Sequence, residues 1–179
     1  MNKEAREAIE EDGKYALELV GLAPSRYKCV LGSYLNNNTF FGKLIRWWER
    51  GEASHTSIIF IDKKSKLPVL EIHALEGWGV IATYPAALAK KGAVVELRAV
   101  RGSPSAREGL EQLTPLLGAK YEKPYGFVTK DRDEDMGRWF CSELGNWFFN
   151  LQNCRHCLVS PPWARRSSKA TEVVGSIAV

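Results

Sequence analysis

The sequence has no apolar run of the kind that spans a bilayer, which takes about 18 consecutive apolar residues, so no transmembrane segment is expected. Its first ten residues, Met1 to Glu10, hold no apolar core of a secretory signal either. Charge of one sign is also missing. Twenty-five Lys and Arg against 21 Asp and Glu leave a formal charge of +4, too mild for a nucleic-acid footprint without clustering, and no nucleic-acid partner is expected. Without a secretion signal, Cys29, Cys141, Cys154 and Cys157 are expected as thiols in a cytoplasmic protein rather than as a disulfide framework. Histidine is scarce, with three residues in 179, so each one has to be accounted for. Six Trp and seven Phe supply ample area for one core.

The patterning predicts one α+β domain. Residues 3–20 read as a polar helix ended by Gly21 and the Pro24-Ser25 break. Strand composition follows over 27–34, 55–61, 69–73, 80–83 and 93–100. Asn36 to Thr39 reads as a cap leading into a helix over 40–50, and Tyr84-Pro85 as the start of a short helix through Lys90. Ser103 and Pro104 suit the N-cap and first position of a helix that Pro115 must kink or end. Residues 118–137 read as a long loop, about 139–151 as a strongly patterned helix, and the tail from Ser160 as irregular. This divides the chain into a helical extension (1–24), a main domain (25–163) and a C-terminal tail (164–179).

Chemistry concentrates at two places. In the last helix Cys141, Leu144, Phe148 and Leu151 share one stripe, so a cysteine in the first turn points at the sheet the helix covers. The amides and dipole of that helix end favour a thiolate and offer donors to an oxyanion. On the helix alone, Cys141 still reads as a small buried hydrophobe, as most free cysteines are. The second place is the strand mouth Ser54-His55-Thr56-Ser57. A turn centred near Lys63 or Lys64 sets His55 opposite Glu71 or His73. Val69, Glu71 and His73 alternate onto one face, and Glu71 stands between Leu70 and Ile72, where an unpaired carboxylate is costly. A histidine across the ladder satisfies it. The result is the nucleophile, base and orienter logic of a thiol triad, with Glu71 and His73 both open as the third member.

Taken together, Arg46-Trp47-Trp48, Ser54-His55-Thr56-Ser57-Ile58, Val69-Leu70-Glu71-Ile72 and Phe140-Cys141-Ser142-Glu143-Leu144 resemble the circularly permuted papain-like amidases of the NlpC type, in particular their YiiX-like branch. In those proteins the histidine strand precedes the cysteine helix. The resemblance implies a papain-like (permuted NlpC-type) α+β fold, with an antiparallel sheet or small barrel packed against the nucleophile helix. It implies Cys141 as nucleophile, His55 as base and Glu71 as orienter, with no cofactor and no metal. Tyr121 resembles a tyrosine often found in the segment leading to the nucleophile helix, which sets it in the substrate cleft. The implied reaction is hydrolysis of a peptide or peptidoglycan-fragment amide through a thioester. Relatives of the lecithin–retinol acyltransferase type act on lipid esters, so a lipid-acyl substrate with peripheral membrane contact is the enzymatic alternative. An apolar groove beside Cys141, lined by Trp47 and Trp78, would favour it. A non-catalytic binding module on the same fold is the third reading. One departure concerns the first strand, which family members open with Gly-Asp and this chain with Arg26-Tyr27-Lys28.

Other features carry less. Cys154-Arg155-His156-Cys157 is one cluster without a second pair to close a zinc site. The acidic run at Asp131, Asp133, Glu134 and Asp135 lacks the glycine and terminal glutamate of a calcium loop. Arg165, Arg166 and Lys169 read as a soluble basic tail.

Overall fold

The computed structural model describes residues 3–35, 43, 47, 52–121, 138–151 and 164–179. The chain is α+β. Strands β1 (Tyr27–Leu35), β2 (Ala53–Asp62), β3 (Pro68–Leu75), β4 (Gly79–Thr83), β5 (Val94–Val100) and, after the later helices, an edge strand over Ala170–Ala178 form one sheet. Its order is β4-β3-β2-β1-β5 followed by the Ala170–Ala178 strand, and every pairing is antiparallel. Among the described residues the sheet is open, with edges at β4 and at that last strand, rather than a closed barrel.

Burial follows from position in that order. All ten residues of β2 are buried, because β1 and β3 flank it and both faces are covered. A strand in that position reads as a near-continuous apolar run rather than an alternating one. Ile58 and Phe60 face one way, into a core shared with Leu31, Leu70, Ile72, Leu144 and Phe148. Ile59 and Ile61 face the other, with Val30, Tyr34, Val95 and Leu97. Full burial of a side chain such as Phe60 contributes about 2–3 kcal/mol.

Three helices with described bounds complete the structure: α1 (Lys3–Leu22), α2 (Ala106–Leu113) and α3 (Cys141–Phe149). Helix α1 is polar along most of its length and buries only a narrow strip, Gly13, Ala16 and Val20, against β3 and β4. Gly13 permits the close approach, since a Cβ there would lie 2.0 Å from the Ala82 carbonyl oxygen. Gly13→Ala is therefore expected to push α1 off β4 at a cost of about 1–3 kcal/mol, read as a lower urea midpoint. An unchanged midpoint would mean that α1 docks loosely. Helix α3 lies against β2 and β3 on the same side of the sheet. A two-residue parallel pair leads into it: β6 (Lys120–Tyr121) runs beside β7 (Arg138–Trp139), with Tyr121 paired to Trp139. The edge strand Ala170–Ala178 is β8.

Several local expectations need correction. Residues 84–88 form a bend and turns rather than a helix, and Ala86 takes a left-handed φ of 62° that a helix cannot contain. The N-cap of α2 is Ser105, not Ser103: Ser105 and Glu108 close a reciprocal capping box, while the Ser103 hydroxyl donates to the Cys29 carbonyl. Helix α2 does end before Pro115, in a 3-10 turn over Thr114–Leu116. The segment expected as an irregular tail supplies β8, because residues 170–178 alternate well enough to pair with β5. Lys43 and Trp47 are helical, but the rest of the helix expected over 40–50 lies outside the described residues, as do 122–137 of the expected loop.

Candidate active site

The site is built on the β1–β2–β3 registers. Tyr34 stands directly opposite His55, next to a bulge between Tyr34 and Leu35. On the other side Ile58 pairs with Ile72 and Ile59 with Glu71. Glu71 thus lies opposite Ile59, not opposite His55 as the hairpin arithmetic expected. A bulge at Phe60 and Ile61 contributes to that slide. Because side chains alternate with period two, the slide keeps His55, Glu71 and His73 on one face while changing who meets whom.

The group within reach of His55 is His73. His55 Nε2 and His73 Nδ1 are 3.2 Å apart, with ring centroids 5.3 Å apart at 61°. His73 Nδ1 also lies 3.5 Å from Glu71 Oε1. Glu71 is held from two sides: the Tyr34 hydroxyl donates to Oε1 at 2.6 Å and the Ala86 amide to Oε2 at 2.7 Å. The Tyr34 ring packs edge-on against His55 at 4.9 Å. All of these side chains are buried, and His73 Nε2 has no hydrogen-bond partner. One proton can sit between the two imidazoles. If His55 Nε2 donates it, His55 Nδ1 keeps its lone pair and His73 carries its own proton on Nε2.

Cys141 is the first residue of α3. No side chain caps that helix start, although the Phe140 amide donates to Glu143 Oε2 at 3.4 Å. The thiol faces the amide and hydroxyl of Thr56 and the amides of Cys141 and Ser142. A strand amide points along the plane of its sheet, and the β2–β3 ladder ends at the Ile58–Ile72 pair. The sulfur therefore approaches the edge of β2 where the ladder has opened. His55, one residue back, turns its ring the other way, toward Tyr34 and His73. The fold thus brings Cys141 beside Thr56, the strand residue next to His55. His55, Glu71 and His73 stand with Tyr34 and Ala86 on the face of the sheet away from α3. The expected contact between the Cys141 sulfur and the His55 ring is not formed.

Desolvation dominates the charges. Burial lowers His55 to about 3, with His73 pushing the same way and Glu71 opposing. Burial alone lowers His73 to about 3. Both rings are neutral near pH 7. Burial also raises the Cys141 thiol, against the pull of the Thr56, Ser142 and Cys141 amides and the Thr56 hydroxyl. The helix-start amides act in the expected direction, but removal from water outweighs them, so the resting pair is thiol and imidazole rather than an ion pair.

Comparison with family models, curated proteins and solved structures returns no match. The likeness to NlpC-type amidases therefore rests on the motif residues alone.

The remaining candidates are more scattered. Tyr121 is partly buried beside Trp139, two residues before Cys141. Trp78 has a ring face covered by the Arg6 guanidinium of α1, 4.3 Å from the ring centroid, so it is not an open wall of a groove. Trp47 is 73% exposed. Arg165 is bound to Glu96 through two hydrogen bonds of 2.9 and 3.1 Å and to Glu52 at 3.1 Å, which occupies it within the protein. Among the described residues no group of three His, Cys, Asp or Glu can hold a metal ion, and Cys154 to Cys157 lie outside them. No helix of the described residues is long and apolar enough to cross a membrane. Sequence reasoning missed Tyr34, Thr56 and Ala86. Thr56 was findable as the neighbour of His55, but Tyr34 and Ala86 reach Glu71 only through tertiary register.

Proposed function

We propose that the chain is a thiol hydrolase that cleaves an amide bond through a thioester, on a papain-like fold of the NlpC type. The observation that supports this reading is the Cys141 thiol at the start of α3, facing its own helix-start amides and the amide and hydroxyl of Thr56, the strand neighbour of His55. Cys141 attacks the carbonyl carbon while His55 takes the thiol proton. That step requires the imidazole to turn from Tyr34 and His73 toward the open edge of β2 that the sulfur approaches. At rest His55 Nε2 is held by His73; once turned, the same ring returns the proton to the leaving nitrogen. A water then repeats the step against the thioester. The Cys141 amide supplies one donor to the oxyanion. Of the two third members left open, His73 fits better, since it touches His55 while Glu71 is engaged by Tyr34 and Ala86. A peptide or peptidoglycan-fragment amide is the favoured substrate class. The lipid-ester alternative needed an apolar groove beside Cys141, and Trp78 is occupied by Arg6.

The direct test is site-resolved alkylation near neutral pH. Cys141 is expected to react ahead of Cys154 and of Cys29, whose thiol burial pushes up to about 12. His55→Ala should slow Cys141 about tenfold or more. If Cys141 reacts no faster than Cys154, the hydrolase reading fails. Parallel assays on peptide amides and phospholipid esters separate the two substrate classes.

A further inference from the structure

The residues around Cys141 include a polar group that the mechanism above does not use. Thr56 is fully buried in the middle of β2, on the face that α3 covers, and its Oγ1 has no hydrogen-bond partner. Gly145 of α3 sits over it: a Cβ at Gly145 would lie 3.6 Å from Thr56 Oγ1. Its cross-strand neighbour Ser33 is likewise buried with an unpartnered hydroxyl. A buried hydroxyl without a partner is costly to a fold, so its presence calls for an explanation. Valine would fill the same space on a strand without that cost. The one chemical event near Thr56 that creates a strong acceptor is ionisation of the Cys141 thiol.

We propose that Thr56 is a preorganised donor for the Cys141 thiolate: its hydroxyl, unpartnered while the sulfur is neutral, closes a hydrogen bond when the sulfur becomes charged. The Thr56 amide faces the sulfur already, so the hydroxyl and amide of one residue form a two-donor cradle that α3 completes with its own first amides. A bond made in the charged state and absent in the neutral one favours reaction without overstabilising the resting enzyme. It also counteracts the burial that holds Cys141 protonated. Of the other titratable groups, Glu143 lies on the same helix with its carboxylate turned to the Phe140 amide, and His55, His73 and Glu71 of β2 and β3 are grouped on the opposite face of the sheet. The inference rests on Cys141 being the nucleophile.

The test is a titration of Cys141 by the NMR shift of its Cβ, which needs no access for a reagent, in the full chain and in Thr56→Val and Thr56→Ser. In Thr56→Val the midpoint is expected to move up by about one pH unit, a tenfold smaller thiolate population below the midpoint. Thr56→Ser should restore it. The thermal midpoint of Thr56→Val should equal or exceed that of the wild type, because the lost hydroxyl had no partner. A merely structural threonine would give the opposite pattern, a lower thermal midpoint with an unmoved titration, and that result overturns the proposal. If hydrolysis requires Cys141 but the titration does not move in Thr56→Val, the Thr56 inference fails alone. If the titration moves but no hydrolysis depends on Cys141, the hydrolase reading fails while the thiolate cradle stands.

Discussion

Cys141→Ala and His55→Ala are each expected to lower amide turnover by about 10⁴-fold or more, and the double variant by little beyond the worse single one, since the two side chains act as one unit. The third position distinguishes the two candidates. His73 touches His55 Nε2 at 3.2 Å, whereas Glu71 spends its oxygens on Tyr34 and Ala86. His73→Ala should therefore cost about 10²-fold in kcat with a small change in KM, because the base loses its orientation rather than its substrate. Glu71→Gln keeps one carbonyl acceptor and should cost less than tenfold in kcat. Steady-state kinetics on one amide substrate suffices. If Glu71→Gln proves the more damaging change, Glu71 holds the base and the assignment of His73 is wrong. If neither matters, His55 is not oriented by this cluster.

The second large effect is on stability in mild acid. His55 and His73 are both held near 3 in the folded chain, against about 6.5 when exposed. A group with a lowered folded value contributes fully above its unfolded value and loses that contribution as pH falls toward the folded one. Between pH 6.5 and 3 the unfolded chain gains protons that the folded chain refuses. At pH 5 the loss is about 2 kcal/mol for each ring, a substantial fraction of the total for a domain. Asp62, held at about 2 by the Ser65 amide, Arg26 and the Lys64 amide, loses its contribution between 3.8 and about 2, below the range from pH 8 to pH 5. Glu96 and Glu108 are likewise held below their ordinary 4.5. Urea midpoints from pH 8 to pH 5 should therefore fall steeply from about 6.5 downward, and His73→Gln should flatten the slope by roughly half. A flat profile would show that the two rings are not buried as neutral groups.

These two expectations draw differently on the sequence. The strands over 27–34, 55–61, 69–73 and 80–83 could be read directly, because β-branched and aromatic runs between polar turns carry their own signal. The stripe of α3 and the shared face of Glu71 and His73 were legible for the same reason, being local periodicities. The cap of α2 was misread by two residues, since Ser103-Pro104 and Ser105 with Glu108 both look like helix starts and only hydrogen bonding chooses between them.

What the sequence by itself determined is the alternation that puts His55, Glu71 and His73 on one face, and the helix whose first turn presents Cys141. Those follow from period two and period 3.6, which no distant contact can change. Only the tertiary structure decided that His73 rather than Glu71 meets His55, that Tyr34 stands opposite His55, and that Ala86 donates to Glu71. Register depends on bulges and on pairings between segments far apart in the chain, and a slide of a few residues leaves every local pattern intact. The charge of the site belongs to the same class. Helix-end amides in the sequence suggested a thiolate, but the cost of removing Cys141, His55 and His73 from water is set by everything packed around them, and that cost leaves all three neutral at rest.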